Sequence, residues 1–207
     1  MKTPTSEIRQ LLVLTTFLTQ KTLVASGKVV FLREKIDNAE IDQRADQVIR
    51  LRGELDRMVN DRIHEASLTL SEEDDLRSLL LFRNLGSALE EISTQAMHAA
   101  RLSLSSPERK PGSKASRQLF HAWSQGGDLL TTALAVLMEA APLDSAKVVR
   151  KLSEERFRMT SPLRQSLPTD DSLIAAILNV LKGFDGAISL ISSRFDSAPS
   201  HDARLRN

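Results

Sequence analysis

Two stretches of this chain repeat one another half a chain apart, and that doubling constrains the fold more than any motif does. Asp74-Asp75-Leu76, through Leu85 to Ile92-Ser93, is answered by Asp170-Asp171-Ser172, through Leu181 to Ile188-Ser189. A second echo lies upstream. Val48-Ile49-Arg50 with Arg57-Met58 matches Val148-Val149-Arg150 with Arg158-Met159, one inserted residue allowed. Recurrence at a spacing of roughly 100 residues marks a supersecondary unit used twice, here a pair of helical repeats.

Apolar residues recurring with a period of 3.6 predict six helices. The first covers about Ser6 to Glu34, with Ile8, Leu11, Leu12, Leu18, Val29 and Leu32 among its apolar positions. Asp37-Asn38 marks a turn into the second, about Ala39 to Leu68. Its stripe is Ala45, Val48, Leu51, Leu55, Met58, Val59 and Ile63, and its other face carries Asp42, Arg44, Asp46, Arg50, Arg52, Asp56 and Arg57. A capping pair, Ser71 and Asp74, predicts the start of the third, which runs to about Leu104. Prolines, a glycine and serines between 105 and 116 read as a mobile basic linker. The fourth helix carries Leu119, Phe120, Trp123, Leu129, Leu130, Leu134 and Leu137, with Gly126-Gly127 as a candidate break. Pro142 opens the fifth, a position where proline costs no hydrogen bond, and Pro162 kinks or ends it. Thr169-Asp170-Asp171 caps the sixth, apolar from Leu173 to Phe195. The expected fold is therefore all-α, a tandem pair of three-helix repeats packed as an antiparallel bundle. Residues 1–104 form the first repeat, 105–116 the linker, 117–198 the second repeat and 199–207 a disordered tail.

Composition narrows the function. The 207-residue chain is long enough for a core, and its net charge of +1 gives no reason to expect nucleic acid. One Trp, no Tyr and seven Phe leave little with which to stack bases. The absence of cysteine excludes disulfides and thiolate chemistry. Leu11 to Leu18 is short for a signal segment and is interrupted by Gln20-Lys21. No window reads as the roughly 18 to 20 clean apolar residues of a membrane span, so a cytoplasmic protein with no direct membrane span is expected.

The search for chemistry leaves carboxylates. His64, His98, His121 and His201 have no metal spacing, and neither a serine-nucleophile elbow nor a phosphate loop occurs. Asp42 and Asp46 lie one helical turn apart, where they either hold a hard cation or form a solvated face beside Arg44 and Arg50. The Glu-x-x-His pairs of a four-helix carboxylate metalloenzyme are missing.

Leu76 to Ala100, LRSLLLFRNLGSALEEISTQAMHAA, resembles the third helix of the PhoU-like family. That family contains the bacterial phosphate-signalling regulator and the related domain of sodium–phosphate cotransporters. Leu89-Glu90-Glu91-Ile92-Ser93-Thr94 fits the family's Leu-Glu-Arg-Ile-Gly-Asp frame. Glu54-Leu55-Asp56 lies where the family has an acidic residue beside an Ile/Leu-Asp pair, and Phe184-Asp185-Gly186-Ala187 is the second half's counterpart. The resemblance implies a metal cluster held by an acidic residue and an aspartate four positions later. Here those pairs read Glu90…Thr94 and Asp185…Ser189, so each site loses one negative charge. A hydroxyl is a poor ligand for a cation that must shed water. The expectation is no cofactor; the alternative is a divalent or ferric metal at Glu90, Asp185, Asp56, Asp42 or Asp46.

The resemblance also implies a non-enzymatic protein of phosphate transport or its regulation, docking on a membrane phosphate transporter or sensor kinase. A generic helical scaffold remains open beside it. In that reading Leu173, Ile174, Ile177, Leu178, Leu181 and Phe184 form either core or a homodimer interface.

Overall fold

The computed structural model describes residues 4–34, 38–69, 73–105, 113–139, 144–166 and 171–196. They form six helices: α1 (Pro4–Gly27), α2 (Asn38–Thr69), α3 (Glu73–Ser105), α4 (Ser113–Glu139), α5 (Asp144–Ser166) and α6 (Ser172–Asp196). Among the described residues there is no strand. The fold is the expected all-α bundle of two three-helix repeats.

Each half packs its three helices on one another, and the halves join through like elements, α3 on α6 and α1 on α4. The two copies of the repeated segment thus lie face to face, and the most apolar helix is central. On α6, Leu173, Ile174, Ile177, Leu181 and Phe184 are buried and Leu178 is half-buried against the core. Sequence left these six as core or dimer interface; they are core. Ser172–Arg194 does reach the length and apolarity of a membrane span, contrary to the sequence reading, but half of that stretch is buried inside the bundle.

Local departures from the expected boundaries have physical causes. The first helix continues past Gly27 as one π turn, Lys28–Leu32, and stops where Arg33 takes a left-handed φ of 57°. Its N–H and that of Glu34 both return to the Lys28 carbonyl. Gly126-Gly127 does not break α4. A Cβ at Gly126 would lie 2.5 Å from Phe184, so this glycine makes room for the largest fully buried side chain of α6. The fifth helix runs through position 162 to Ser166 rather than ending there. The fourth begins at Ser113, inside the expected linker; 106–112 and 199–207 lie outside the described residues, as do Ser71 and Pro142. Asp171 is the cap of α6, its Oδ1 accepting from the backbone N–H groups of Leu173 at 2.9 Å and Ile174 at 3.3 Å. The upstream echo is off by one in register, because the buried valines are Val48 and Val149 whereas Val148 is exposed.

Candidate functional site

The helix pair α2–α3 gathers two of the five acidic candidates. Gly86 sets the approach: a Cβ there would fall 2.5 Å from Leu55 Cδ2, and the stem of Arg52 passes at 3.9 Å. With the helices this close, the Arg52 guanidinium reaches in three directions. One terminal nitrogen stands 2.8 Å from Asp56 Oδ2, the other donates to Ser87 Oγ at 3.2 Å, and Nε lies 3.3 Å from Glu90 Oε2. Arg83 Nε approaches the second Asp56 oxygen at 3.9 Å. Arg52 Nε and Asp56 Oδ1 are buried atoms held by charge rather than by hydrogen-bond geometry. Asp56 is the most enclosed member, its side chain 18% exposed against 30% for Glu90 and 32% for Arg52. Two guanidinium groups thus face two carboxylates, and the seam is neutral without any further ion.

The other candidates are elsewhere. Asp42 pairs with Arg101 Nη2 at 2.5 Å across α2 and α3. Asp46 is exposed on α2, and Asp185 is half-buried on α6. Thr94 and Ser189, which stand at the second acidic position of the family pattern, are both exposed. Among the described residues no three His, Asp or Glu side chains gather as a metal-binding group. His64, His98 and His121 are exposed, and His201 lies outside the described residues. Sequence reasoning placed Arg52 on a charged face and did not link it to Asp56. The signal was present, since residues four apart on a helix are neighbours. Its contact with Glu90 has no local signal.

A second feature is the inverted face of α1. Thr15, Thr19, Thr22 and Ser26 are buried, while Val13, Leu14, Phe17 and Val24 are exposed. Helical backbone carbonyls satisfy several of the hydroxyls: Thr15 donates to Leu11 O at 2.8 Å and Thr22 to Leu18 O at 2.9 Å. Thr19 donates to Leu89 O at 3.4 Å and accepts from Ser93 Oγ at 3.1 Å, which ties α1 to α3. The outward apolar row leads into a cleft of about 250 Å³ between α1 and α4, lined by Leu23, Val24, Leu32, Phe120 and Trp123. Trp123 is fixed there by its Nε1–H, which donates to Leu23 O at 3.1 Å, and by the edge of Phe31, 5.7 Å between ring centres. Leu32, expected in the apolar stripe, is exposed at the cleft. Arg9 and Lys21 flank the row, the Lys21 ammonium standing 5.2 Å over the Phe17 ring.

No family model and no curated protein matches this sequence. In structure the chain is similar to PhoU from Pseudomonas aeruginosa, with a TM-score of 0.69 and 16% identity. The match covers 93% of this chain and 94% of that one. At this identity the likeness is one of fold, and it spans both repeats.

Proposed function

We propose that this chain is a non-enzymatic, PhoU-like protein of phosphate regulation that acts through protein–protein contacts in the cytoplasm. The observation that carries the reading is the whole-length match to PhoU, with a TM-score of 0.69 over 93% of this chain and 94% of that one. A shared motif or a shared single repeat would support far less. Proteins of that kind regulate phosphate transport and signalling, so the partners proposed here are a membrane phosphate transporter or a sensor kinase. Docking biases such a partner only if this chain binds one of its conformations more tightly than the other.

The surface best suited to docking is the exposed row on α1, where Phe17 is 51% and Val24 55% exposed. A row of this length and period accepts the apolar face of a helix. Arg9 and Lys21 at its edges favour a partner helix with acidic flanks. In affinity purification from phosphate-starved and phosphate-replete cells, the intact chain is expected to recover a phosphate-transport component or sensor kinase. The Phe17→Glu variant is expected to recover less of it. Recovery of no membrane-associated partner under either condition overturns the proposal. Light scattering on the same material identifies the remaining occupant: a dimer that Phe17→Glu dissociates would assign the row to a second copy of the chain.

A further inference from the structure

The family resemblance implies a metal cluster, and the residues present do not fit one. Asp56 and Glu90 are the two candidate ligands that the fold brings to a common partner, and that partner is Arg52. We infer that Arg52 is the resident cation of the α2–α3 seam, a guanidinium standing where an acidic pair would otherwise recruit a metal ion.

Three observations carry this. The seam is already balanced, with Arg52 and Arg83 facing Asp56 and Glu90. A divalent ion entering beside Arg52 therefore meets like charge and finds no uncompensated carboxylate. Second, the guanidinium uses its fork: separate nitrogens face Asp56 Oδ2, Ser87 Oγ and Glu90 Oε2, so one oxygen of each carboxylate is already engaged by Arg52. Oxygen ligands in number are what such a cation requires. Third, an arginine does not vacate the position by losing a proton, as a lysine can. Its aliphatic stem passes within ordinary contact distance of position 86, 3.9 Å from a Cβ built there, at the crossing where glycine makes room for Leu55.

The consequence is that closure of α2 on α3 is independent of metal supply. A bundle built on a metal cluster can respond to the ion; this seam is permanently set by a covalent part of the chain. The inference does not depend on the phosphate reading, because it concerns the seam alone.

The test measures metal and stability together in the full chain. Metal content of the protein as purified is determined by mass spectrometry, and thermal midpoints are recorded in EDTA and in Mn²⁺. The wild-type chain is expected to carry no stoichiometric metal and to shift by less than about 1 °C between the two conditions. Arg52→Ser, which removes the guanidinium and leaves the carboxylates, is expected to melt lower in EDTA and to regain about 2–4 °C in Mn²⁺. Adding Asp56→Asn to that variant abolishes the response. Arg52→Lys keeps a cation in place and remains insensitive to Mn²⁺. Stoichiometric metal in the wild type that is lost on Asp56→Asn or Glu90→Gln overturns the inference, and this arm needs no Arg52 variant to fold. A folded Arg52→Ser protein indifferent to Mn²⁺ overturns it equally.

Discussion

Gly53 and Gly126 both sit in helix interiors, where glycine is destabilising relative to alanine, yet their surroundings set opposite expectations. Nothing lies within 4 Å of a Cβ built at Gly53, on the exposed side of α2. Gly53→Ala is therefore expected to stabilise the fold by about 0.5–1 kcal/mol, read as a higher urea midpoint. At Gly126 the new methyl meets the Phe184 ring at 2.5 Å and 2.8 Å, and that ring is fully buried. Overpacking of about 1–3 kcal/mol outweighs the gain in helix propensity, so Gly126→Ala is expected to lower the midpoint. The same contrast explains what the sequence shows of the seam. Arg52 and Asp56 are one turn apart, and their pairing is legible from spacing alone. Glu90 is on another helix, and its meeting with Arg52 depends on the close crossing at Gly86. No local pattern encodes a crossing, which is why Glu90 reads as an unattached carboxylate.

At the scale of elements, α2 to α6 follow the rule that the apolar stripe faces the core, and α1 departs from it. Its hydroxyls are buried, that of Thr19 against α3, and part of its apolar surface faces outward. The extents of the helices were legible to within a few residues because stripe, cap and turn residues agree. The face that α1 buries was not, because a threonine in a helix satisfies its hydroxyl on a carbonyl one turn back and so passes as a small core residue. The buried Thr19–Ser93 pair tests this arrangement by mutation. Thr19→Val leaves the buried Ser93 hydroxyl without its acceptor and is expected to destabilise by about 1–3 kcal/mol. Thr19→Val with Ser93→Ala is expected to be closer to wild type than the single change, a coupling that a double-mutant cycle measures directly. At the start of α6, Asp171→Ala removes the acceptor of two backbone N–H groups. The expected loss is about 0.5–2 kcal/mol by chemical denaturation.

For the whole molecule, the repeated segment explains how the halves join. Its two copies are α3 and α6, and they form the centre of the bundle with α1 and α4 beside them. The outer helices α2 and α5 differ more. The first repeat carries the Arg52 seam, while in the second Phe157 is exposed on α5. The architecture was legible because a duplicated amphipathic unit has few ways to bury its apolar faces. The proposed function was suggested only by the resemblance carried by Leu76 to Ala100, and the likeness in fold supports it. Ordinary charge and an absence of catalytic motifs say nothing about a docking partner. Under the proposed function, this bundle regulates phosphate handling by contact. The most direct measurement is phosphate uptake and phosphate-responsive transcription in cells lacking the gene, restored with the wild-type chain or with Phe17→Glu. The deletion is expected to alter the phosphate response, the wild type to restore it, and Phe17→Glu to restore it poorly while remaining folded. An unchanged phosphate response in the deletion strain would contradict it.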